Sequence, residues 1–390
     1  MTPAPRTHAF VSFAFTTSSL LPEDWLMLGE AMSKCEHLGG VPLKPQAAQE
    51  LAAIYLARGV QATTAIEGNT LSEEQVKEIV QKGSTQVPES REYQEREVKN
   101  IALCLEEIDN ALERGERLPI DVDRLCYLNG KILEGIPDKP EVIPGKLRQH
   151  NVAAGTYRAP DWQDVPDLAK QLVSWLEELR GTVTKKSRRE ERFINAVLAA
   201  ILAHLYIAWV HPFGNGNGRL ARLVEVQILS ESGVIPIVTT NLLSDHYNKT
   251  RNAYYLALDA AQKDVRSFIT YALRGFVDEI REQIGRVRAE NLAIHWESYV
   301  FERFSRLQTS PARDRQREVA LRMVPEKVYT PEEVTEATIH LAKKYAVCGE
   351  RTPARDMNQL WKMGLVEKVG RREYRVLREK IKAFIPPVAD

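Results

Sequence analysis

The sequence predicts an all-α protein, a helical bundle with one short β-hairpin, followed by a smaller C-terminal α+β module. Apolar residues recur at spacings of three and four through most long segments, which predicts amphipathic helices. Strand–turn–strand patterns occur only in two short segments. The chain has 390 residues, more than one compact core usually takes, so we expect more than one domain.

The composition is that of an ordinary soluble protein, with 44% apolar residues, 27% charged residues and a formal net charge of zero. No global charge therefore points to nucleic acid or to a membrane. The cysteines are scattered, which favours reduced thiols and a cytoplasmic protein. We find neither an apolar segment typical of a signal peptide nor a run of about eighteen apolar residues, and therefore expect no membrane span. The cysteines are Cys35, Cys104, Cys126 and Cys348.

Residues 1–110 are predicted to form an N-terminal helical region. Amphipathic patterns cover residues 46–66 and 91–114. Between them, Ser72 and Gln75 have the spacing of a capping box that opens a further helix.

Residues 111–285 are predicted to form the central helical domain, which contains the first hairpin. In the stretch IPGKLRQHNVAAGTYRAP, residues 143–160, two strand-like segments flank a small-residue turn and predict a hairpin over 147–158. A helix with the sequence DLAKQLVSWLEELR follows. Residues 245–282 predict two more helices.

The most informative stretch is HPFGNGNGRLAR, residues 211–222. A long apolar helical pattern precedes it, with Phe193, Val197 and Ile201 on one face. A second helical pattern follows and ends at Gly233. The stretch is therefore a helix–loop–helix junction whose loop lies at a helix N-terminus.

The residue types in this junction suit phosphate chemistry. Backbone N–H groups freed around Gly216 and Gly218 at a helix N-terminus form an anion site. Arg219 and Arg222 add charged donors from one helix face. His211 can accept a proton from an attacking hydroxyl. Each feature alone has a structural explanation, namely a core histidine, a turn or a solvated face. Their combination predicts phosphoryl or nucleotidyl transfer without a Walker lysine.

The same stretch resembles the Fic motif, H-P-F-x-[D/E]-G-N-G-R-x-x-R. The resemblance extends over roughly residues 10–285, with helices on both sides, the hairpin upstream and NKTRNAYYLAL downstream. The matching positions are His211, Pro212, Phe213, Gly216, Asn217, Gly218, Arg219 and Arg222.

This resemblance implies transfer of AMP from ATP to a Ser, Thr or Tyr hydroxyl of a protein, with ATP and Mg²⁺ or Mn²⁺ as cofactors. It implies that His211 is the general base and that Phe213 anchors the loop in the core. The hairpin at 147–158 would align the target segment by strand addition. The nucleotide-binding residues implied are Ala208, Gly216, Asn217, Gly218, Arg219, Leu220, Ala221 and Arg222, with Asn248 as a further candidate.

One motif position departs from the family pattern. Asn215 stands where the family has a carboxylate that coordinates the metal. An amide oxygen carries no charge, so we expect weaker metal binding. A different transfer on the same scaffold, of phosphate or another nucleotide, therefore stays open as an alternative.

The stretch TTAIEGN, residues 63–69, has two interpretations. It has the pattern of an ordinary helix end, with Gly68 as the residue after the cap. It also resembles the inhibitory helix of the family, [S/T]-x-x-x-E-[G/N], with Thr63 and Glu67 one helical turn apart. Glu67 would then pair with Arg222 in competition with the γ-phosphate and hold the protein autoinhibited. The same carboxylate could orient water for removal of AMP.

A boundary near residue 309 is expected to separate a linker helix, 286–309, from a module at 310–390. Three helical patterns and the strand–turn–strand segment EKVGRREYRVL have the order of a winged helix-turn-helix. Residues 311–382 hold 17 Lys and Arg against 11 Asp and Glu. A DNA-binding regulator is therefore an alternative, a protein–protein module another. Candidate phosphate contacts are Arg351, Arg355, Lys362, Arg371 and Arg372.

Self-modification and a homodimer are further expectations that the family resemblance implies, and no membrane partner is expected.

Overall fold

The computed structural model describes residues 8–42, 45–181 and 187–381. They divide into two compact units, Met1–Ile284 and Gly285–Asp390, each with its own hydrophobic core. The extreme ends of the first and last predicted domains lie outside the described residues.

The predicted mostly helical fold with a short hairpin is confirmed. The first unit places its helices around a core to which α7 and α8 contribute most of their side chains. The helices are α1 (Pro22–Gly40), α2 (Pro45–Ala65), α3 (Glu73–Lys82), α4 (Glu92–Glu113), α5 (Val122–Ile132), α6 (Val165–Gly181), α7 (Arg189–Val210), α8 (Asn217–Glu231), α9 (Leu242–Lys249), α10 (Arg251–Ala261) and α11 (Arg266–Ser305).

Helix α7 is the central core helix of this unit. It is apolar on nearly every face, so it is buried all round rather than along one stripe. By length and composition it is also the one described helix that could cross a membrane, and the expectation that no such stretch exists was therefore wrong. In the structure 83% of its apolar window is buried within the protein, as in a soluble core helix.

The capping box predicted at the start of α3 is present. Ser72 Oγ accepts a hydrogen bond from the Gln75 backbone N–H at 3.3 Å, and Gln75 Oε1 accepts one from the Ser72 N–H at 3.1 Å. Two otherwise unpaired N–H groups at the helix start are thereby satisfied.

The predicted hairpin is shorter than expected. Strands β1 (Ala153–Ala154) and β2 (Tyr157–Arg158) pair antiparallel, and Gly155 supplies the positive φ of the turn. Val152 O still accepts from the Ala159 N–H at 3.2 Å, but residues 147–151 do not continue the pairing. Their backbone and the Arg148 side chain instead contact the loop after α7.

Three helix predictions in the later chain differ from the structure in their boundaries. The pattern TPEEVTEATIHLAKKY, residues 330–345, predicts one helix. The segment 330–345 forms two helices because Thr338 caps the second one, its Oγ1 accepting from the Leu341 N–H at 3.1 Å. The segment 245–282 contains parts of three helices, since α9 and α10 are separated at Thr250. The predicted linker helix at 286–309 is instead the C-terminal part of α11, which ends at Ser305.

The second unit has a helical layer closed by a hairpin. Its core joins Trp296 and Val300 of α11 to residues of the later elements. A single bridge pairs Tyr329 with Tyr374, adding a short third segment beside the hairpin. The elements are α12 (Pro311–Arg322), α13 (Pro331–Thr335), α14 (Ile339–Ala346), α15 (Thr352–Lys362), β3 (Val366–Gly370) and β4 (Glu373–Val376).

Candidate active site

The candidate site is built on the junction between α7 and α8. His211 ends α7 with φ 49° and ψ 58°, a left-handed conformation that is rare for residues other than glycine. Its N–H still donates to Ile207 O at 2.9 Å, so the chain turns away directly after the last helical bond. A strained backbone of this kind persists only where neighbouring contacts fix it.

Arg148 supplies those contacts. This buried side chain donates from Nε to His211 O at 2.8 Å and from Nη1 to His150 O at 3.0 Å. Its Nη2 donates to Pro160 O at 2.5 Å, and its own N–H donates to Pro212 O at 3.0 Å. Burial lowers the pKa of Arg148 to about 10, still far above neutrality. Arg148 therefore connects the segments that flank the hairpin to the loop that begins at His211.

The His211 imidazole is held in one tautomer. Its Nδ1 lies 3.1 Å from Ala208 O, and because a carbonyl can only accept, Nδ1 carries the proton. Nε2 is then the unprotonated nitrogen. Burial lowers the pKa of His211 below its ordinary value, an effect that Arg148 reinforces and that the Ala208 carbonyl and Glu67 oppose. The ring is therefore neutral at pH 7 and able to accept a proton.

The loop between α7 and α8 is fixed by hydrogen bonds from the Asn217 side chain to its backbone. Asn217 Nδ2 donates to Phe213 O at 2.8 Å, and Asn217 Oδ1 accepts from Phe213 N at 2.9 Å. Phe213 is buried in the core, and Gly216 adopts φ 78° just before α8 begins. The first N–H groups of α8 have no acceptor within the helix, so they and the helix dipole form an anion site.

The buried arginine of this site is paired with Glu67. Arg222 is 1% exposed, and its Nη2 donates to Glu67 Oε1 at 2.6 Å and to Thr63 O at 3.0 Å. Its Nε and Nη1 have no hydrogen-bond partner among the described residues. Burial alone would raise the pKa of Glu67, but the charges of Arg222 and Arg219 outweigh it and hold that pKa below its ordinary value. Glu67 is therefore ionised.

The Glu67 carboxylate lies against the N-terminus of α8. A Cβ added at Gly218 would be 2.3 Å from Glu67 Oε1, so only glycine permits this approach. Glu67 itself follows the end of α2, in a turn where Gly68 has φ 99° as the helix-end pattern predicts. A carboxylate of this chain thus occupies the region where the helix N-terminus attracts an anion.

Arg219 is tied to the same turn by a second route. Its Nη1 donates to Glu97 Oε1 at 2.7 Å, and both side chains are largely buried. Glu97 Oε2 accepts from Asn69 Nδ2 at 3.0 Å. Glu97 therefore links the turn that carries Glu67 to an arginine of the motif.

A cavity of about 460 Å³ opens between these groups. Ala208, His211, Gly218 and Glu67 border it together with the hairpin turn. Much of its remaining wall comes from α10 and from Gln262 directly after it, and this contribution was not predicted from the sequence. The wall residues are Tyr254, Tyr255, Leu258, Asp259 and Gln262.

Of the nine predicted nucleotide-binding residues, Ala208 and Gly218 border this cavity and the other seven do not. Leu220 and Ala221 are completely buried and face the core of the first unit. Asn248 lies on α9, where its Oδ1 accepts from Arg251 Nη2 at 3.0 Å. Asn248 precedes α10 by only a few residues in the chain. It belongs to α9, however, and the residues that border the cavity belong to α10.

The donors around Asn215 do not fit a protein-held Mg²⁺ site. Asn215 Oδ1 already accepts from Gly216 N at 2.6 Å, and its Nδ2 donates to Asp138 Oδ2 at 2.5 Å. Asp138 Oδ1 accepts from Lys139 N. In the described part of the chain no group of three His, Cys, Asp or Glu side chains could hold a metal ion. The predicted metal role of Asn215 therefore finds no support in this geometry.

Together these features define a helical protein with an anion site at a helix N-terminus, a neutral histidine and an apolar cavity. Residues 119–229 match the model of the Fic/DOC family. The segment that holds the hairpin, α7 and most of α8 is thus similar to the Fic/DOC family.

Curated relatives agree with this assignment. Protein adenylyltransferase fic-1 of Caenorhabditis elegans is 29% identical over 230 residues, which are 59% of this chain and 41% of the relative. Protein adenylyltransferase Fic of Drosophila yakuba is 25% identical over 208 residues, 53% of this chain and 37% of the relative. The chain thus spans about two fifths of the length of the curated relatives it matches.

Solved structures share the fold. A Fic family protein from Desulfovibrio desulfuricans G20 has a TM-score of 0.52 at 20% identity, covering 92% of this chain and 97% of that one. Fic-1 (aa134–508) from Caenorhabditis elegans has a TM-score of 0.53 at 24% identity, covering 68% and 73%.

Proposed function

We propose that this protein is an adenylyltransferase that transfers AMP from ATP to a hydroxyl of a protein, and that Glu67 inhibits it at rest. The observation that carries the proposal is that His211, Gly218 and Glu67 border one cavity at the N-terminus of α8. The curated relatives described above are protein adenylyltransferases, which supports the same reaction.

The reaction follows from the tautomer of His211. The target hydroxyl gives its proton to His211 Nε2 while its oxygen attacks the α-phosphorus of ATP. A new P–O bond forms to the target, the bond from the α-phosphorus to the oxygen bridging the β-phosphate breaks, and pyrophosphate leaves. Because the ring is neutral at pH 7, it can act as the base without prior deprotonation.

The N-terminus of α8 is the proposed phosphate site. Its first N–H groups and the helix dipole stabilise the negative charge that the phosphates carry. Arg222 has two nitrogens without a partner in the described structure, so it can donate to a phosphate oxygen once Glu67 moves away. Tyr255 and Leu258 offer an aromatic and apolar wall for the base of the nucleotide.

Autoinhibition follows from the position of the Glu67 carboxylate. It is bonded to the same guanidinium and lies over the same glycine that the phosphates would use. Two anions cannot occupy this site without repulsion, so ATP binds poorly or with its phosphates displaced.

The hairpin is the proposed docking element for the target. β1 and β2 are short and largely exposed, and the turn at Gly155 borders the cavity. An extended peptide segment can add to such an edge through main-chain hydrogen bonds. Tyr157 anchors the hairpin because its hydroxyl donates to Trp209 O at 2.6 Å.

Radiolabelled ATP tests the reaction type. The Glu67→Gly variant is incubated with Mg²⁺ and ATP labelled either on the α- or on the γ-phosphate. Label from the α-phosphate alone should become protein-bound, and the His211→Ala, Glu67→Gly double variant should remain unlabelled. Incorporation from the γ-phosphate would show phosphate transfer and overturn the proposal.

The reverse reaction is a second candidate. Glu67 is 29% exposed, remains ionised and shares the cavity with His211, so it can orient a water molecule toward a bound AMP ester. Protein pre-modified with AMP in the Glu67→Gly background supplies the substrate. Loss of AMP on adding wild-type protein, but not on adding the Glu67→Gly variant, would favour removal of AMP.

A further inference from the structure

The second unit carries a cationic surface that the proposed reaction does not use. We propose that the exposed face of α15 and the turn between β3 and β4 bind the phosphate backbone of duplex DNA. We call this face and turn together the α15 surface. Its unpaired cations are Arg351, Arg355, Lys362 and Arg371.

Helix α15 has one buried and one charged face. Met357 and Leu360 are completely buried in the core of the second unit. Arg351, Arg355 and Lys362 are exposed, and their spacings of four and seven place them on the opposite face. The helix therefore presents a line of positive charge along its whole length.

The hairpin is fixed beside this helix by two contacts. Lys368 Nζ lies 4.2 Å from the centroid of the Trp361 ring, a cation–π contact between β3 and α15. Tyr374 OH donates to Asn358 Oδ1 at 3.2 Å and joins β4 to the same helix. These two contacts fix the position of the Arg371 turn relative to α15.

The charges on the α15 surface are uncompensated. Arg351, Arg355, Lys362 and Arg371 are exposed and form no ion pair within the described residues, whereas Arg372 is paired with Glu332. Four free cations are therefore available to an anionic partner.

The carboxylates of the same stretch are all engaged. Between residues 351 and 372 the acidic residues are Asp356 and Glu367. Asp356 is buried and accepts from Arg315 Nε at 2.6 Å, while Glu367 pairs with Arg375. Neither carboxylate within 351–372 is thus left to repel phosphate, while the exposed Glu350 and Glu373 flank the stretch on either side.

The shape of the surface favours duplex DNA among anionic partners. Helix α15 has eleven residues and a length of roughly 16 Å, and an α-helix fits the DNA major groove. The order of helices followed by a hairpin is that of winged helix-turn-helix modules, in which helix and hairpin contact the same duplex. Phosphate contacts position such a module without reading sequence.

Fluorescence anisotropy of the full chain with a labelled 20-base-pair duplex of mixed sequence tests the proposal. If four phosphates are neutralised, affinity should fall roughly 150-fold between 50 and 200 mM NaCl. The Arg355→Ala, Lys362→Ala variant should bind more weakly, and its loss over the same range should shrink to roughly tenfold. The control Lys82→Ala, Lys170→Ala removes the same charge from exposed positions of the first unit and should match wild type.

Three results would overturn the proposal. They are no binding at 50 mM NaCl, equal binding by the α15 variant and wild type, and tighter binding to an RNA duplex of the same length. Salt-independent self-association through this surface, measured by sedimentation, would assign it to a protein partner instead. The assay contains no ATP, so its outcome is independent of the adenylyltransferase proposal.

Discussion

Glu67 and Arg222 form a hydrogen-bonded ion pair, 2.6 Å between Oε1 and Nη2, although 155 positions separate them in the chain. The arginine is 1% exposed and depends on this carboxylate for compensation of its charge. The pair joins the turn after α2 to the first turns of α8, and under the proposed function it is the contact that the phosphates of ATP would replace.

Replacing Glu67 should strengthen ATP binding. In Glu67→Gly the guanidinium of Arg222 loses its carboxylate partner, and phosphate can take its place. Since hydrogen bonds to charged groups contribute about 1.5–3 kcal/mol, affinity for ATP measured by calorimetry should rise roughly tenfold or more. Glu74→Ala, which removes an exposed carboxylate from α3, should bind ATP as wild type does. Equal affinities in all three proteins would contradict autoinhibition by Glu67.

The pH dependence of transfer should reflect a lowered pKa of His211. Burial favours the neutral ring, so the base keeps its proton-accepting nitrogen below the ordinary histidine value of 6.5. Activity of the Glu67→Gly variant should therefore persist at pH 6.5 and decline only on further acidification. The profile of kcat/KM against pH measures this acidic decline for the free enzyme. An acidic limb centred above pH 6.5 would show that the base is not the buried His211.

Arg148 should act as a positioning residue for His211. Arg148→Met keeps the apolar stem but removes the donors to His211 O, His150 O and Pro160 O. We expect kcat to fall roughly 100-fold, as a misplacement of about 1 Å can cause, with a smaller change in KM for ATP. Arg148→Lys keeps one donor and should retain more activity. Equal losses of kcat and of ATP affinity would indicate general disruption of the site instead.

Asn215→Asp should create a divalent-cation site. The new carboxylate would lie beside Asp138, whose Oδ2 now accepts from Asn215 Nδ2 at 2.5 Å. Two adjacent carboxylates repel each other unless a cation lies between them. The variant should therefore bind Mn²⁺ in the absence of nucleotide, measured by calorimetry, whereas wild type should not. Comparable Mn²⁺ binding by wild type would show that the present donors suffice.

Local signals in the sequence were sufficient for the site loop. The motif residues lie within twelve positions, so the helix–loop–helix junction and the start of α8 could be predicted from spacing, and the family resemblance implied that Phe213 is anchored in the core. The capping box at Ser72 and the turn at Gly68 are equally local, because their hydrogen bonds join residues only a few positions apart.

Contacts between distant segments could not be predicted in the same way. Arg148 lies 63 positions before His211, and Glu97 lies 122 positions before Arg219. Neither helical periodicity nor a turn motif indicates which distant residue each of these side chains contacts. The family resemblance implied Asn248 as a nucleotide-binding candidate, but in the structure Asn248 does not border the cavity, whose wall comes from α10 instead. The split between α13 and α14 arises from Thr338, which ends one apolar pattern and caps the next.

The intact mass of the protein after incubation with ATP tests the central proposal most directly. Wild type, Glu67→Gly and the Glu67→Gly, His211→Ala double variant are compared under identical conditions. We predict the added mass of AMP in Glu67→Gly, little or none in wild type and none in the double variant. An AMP adduct in the double variant equal to that in Glu67→Gly would contradict the assignment of His211 as the base.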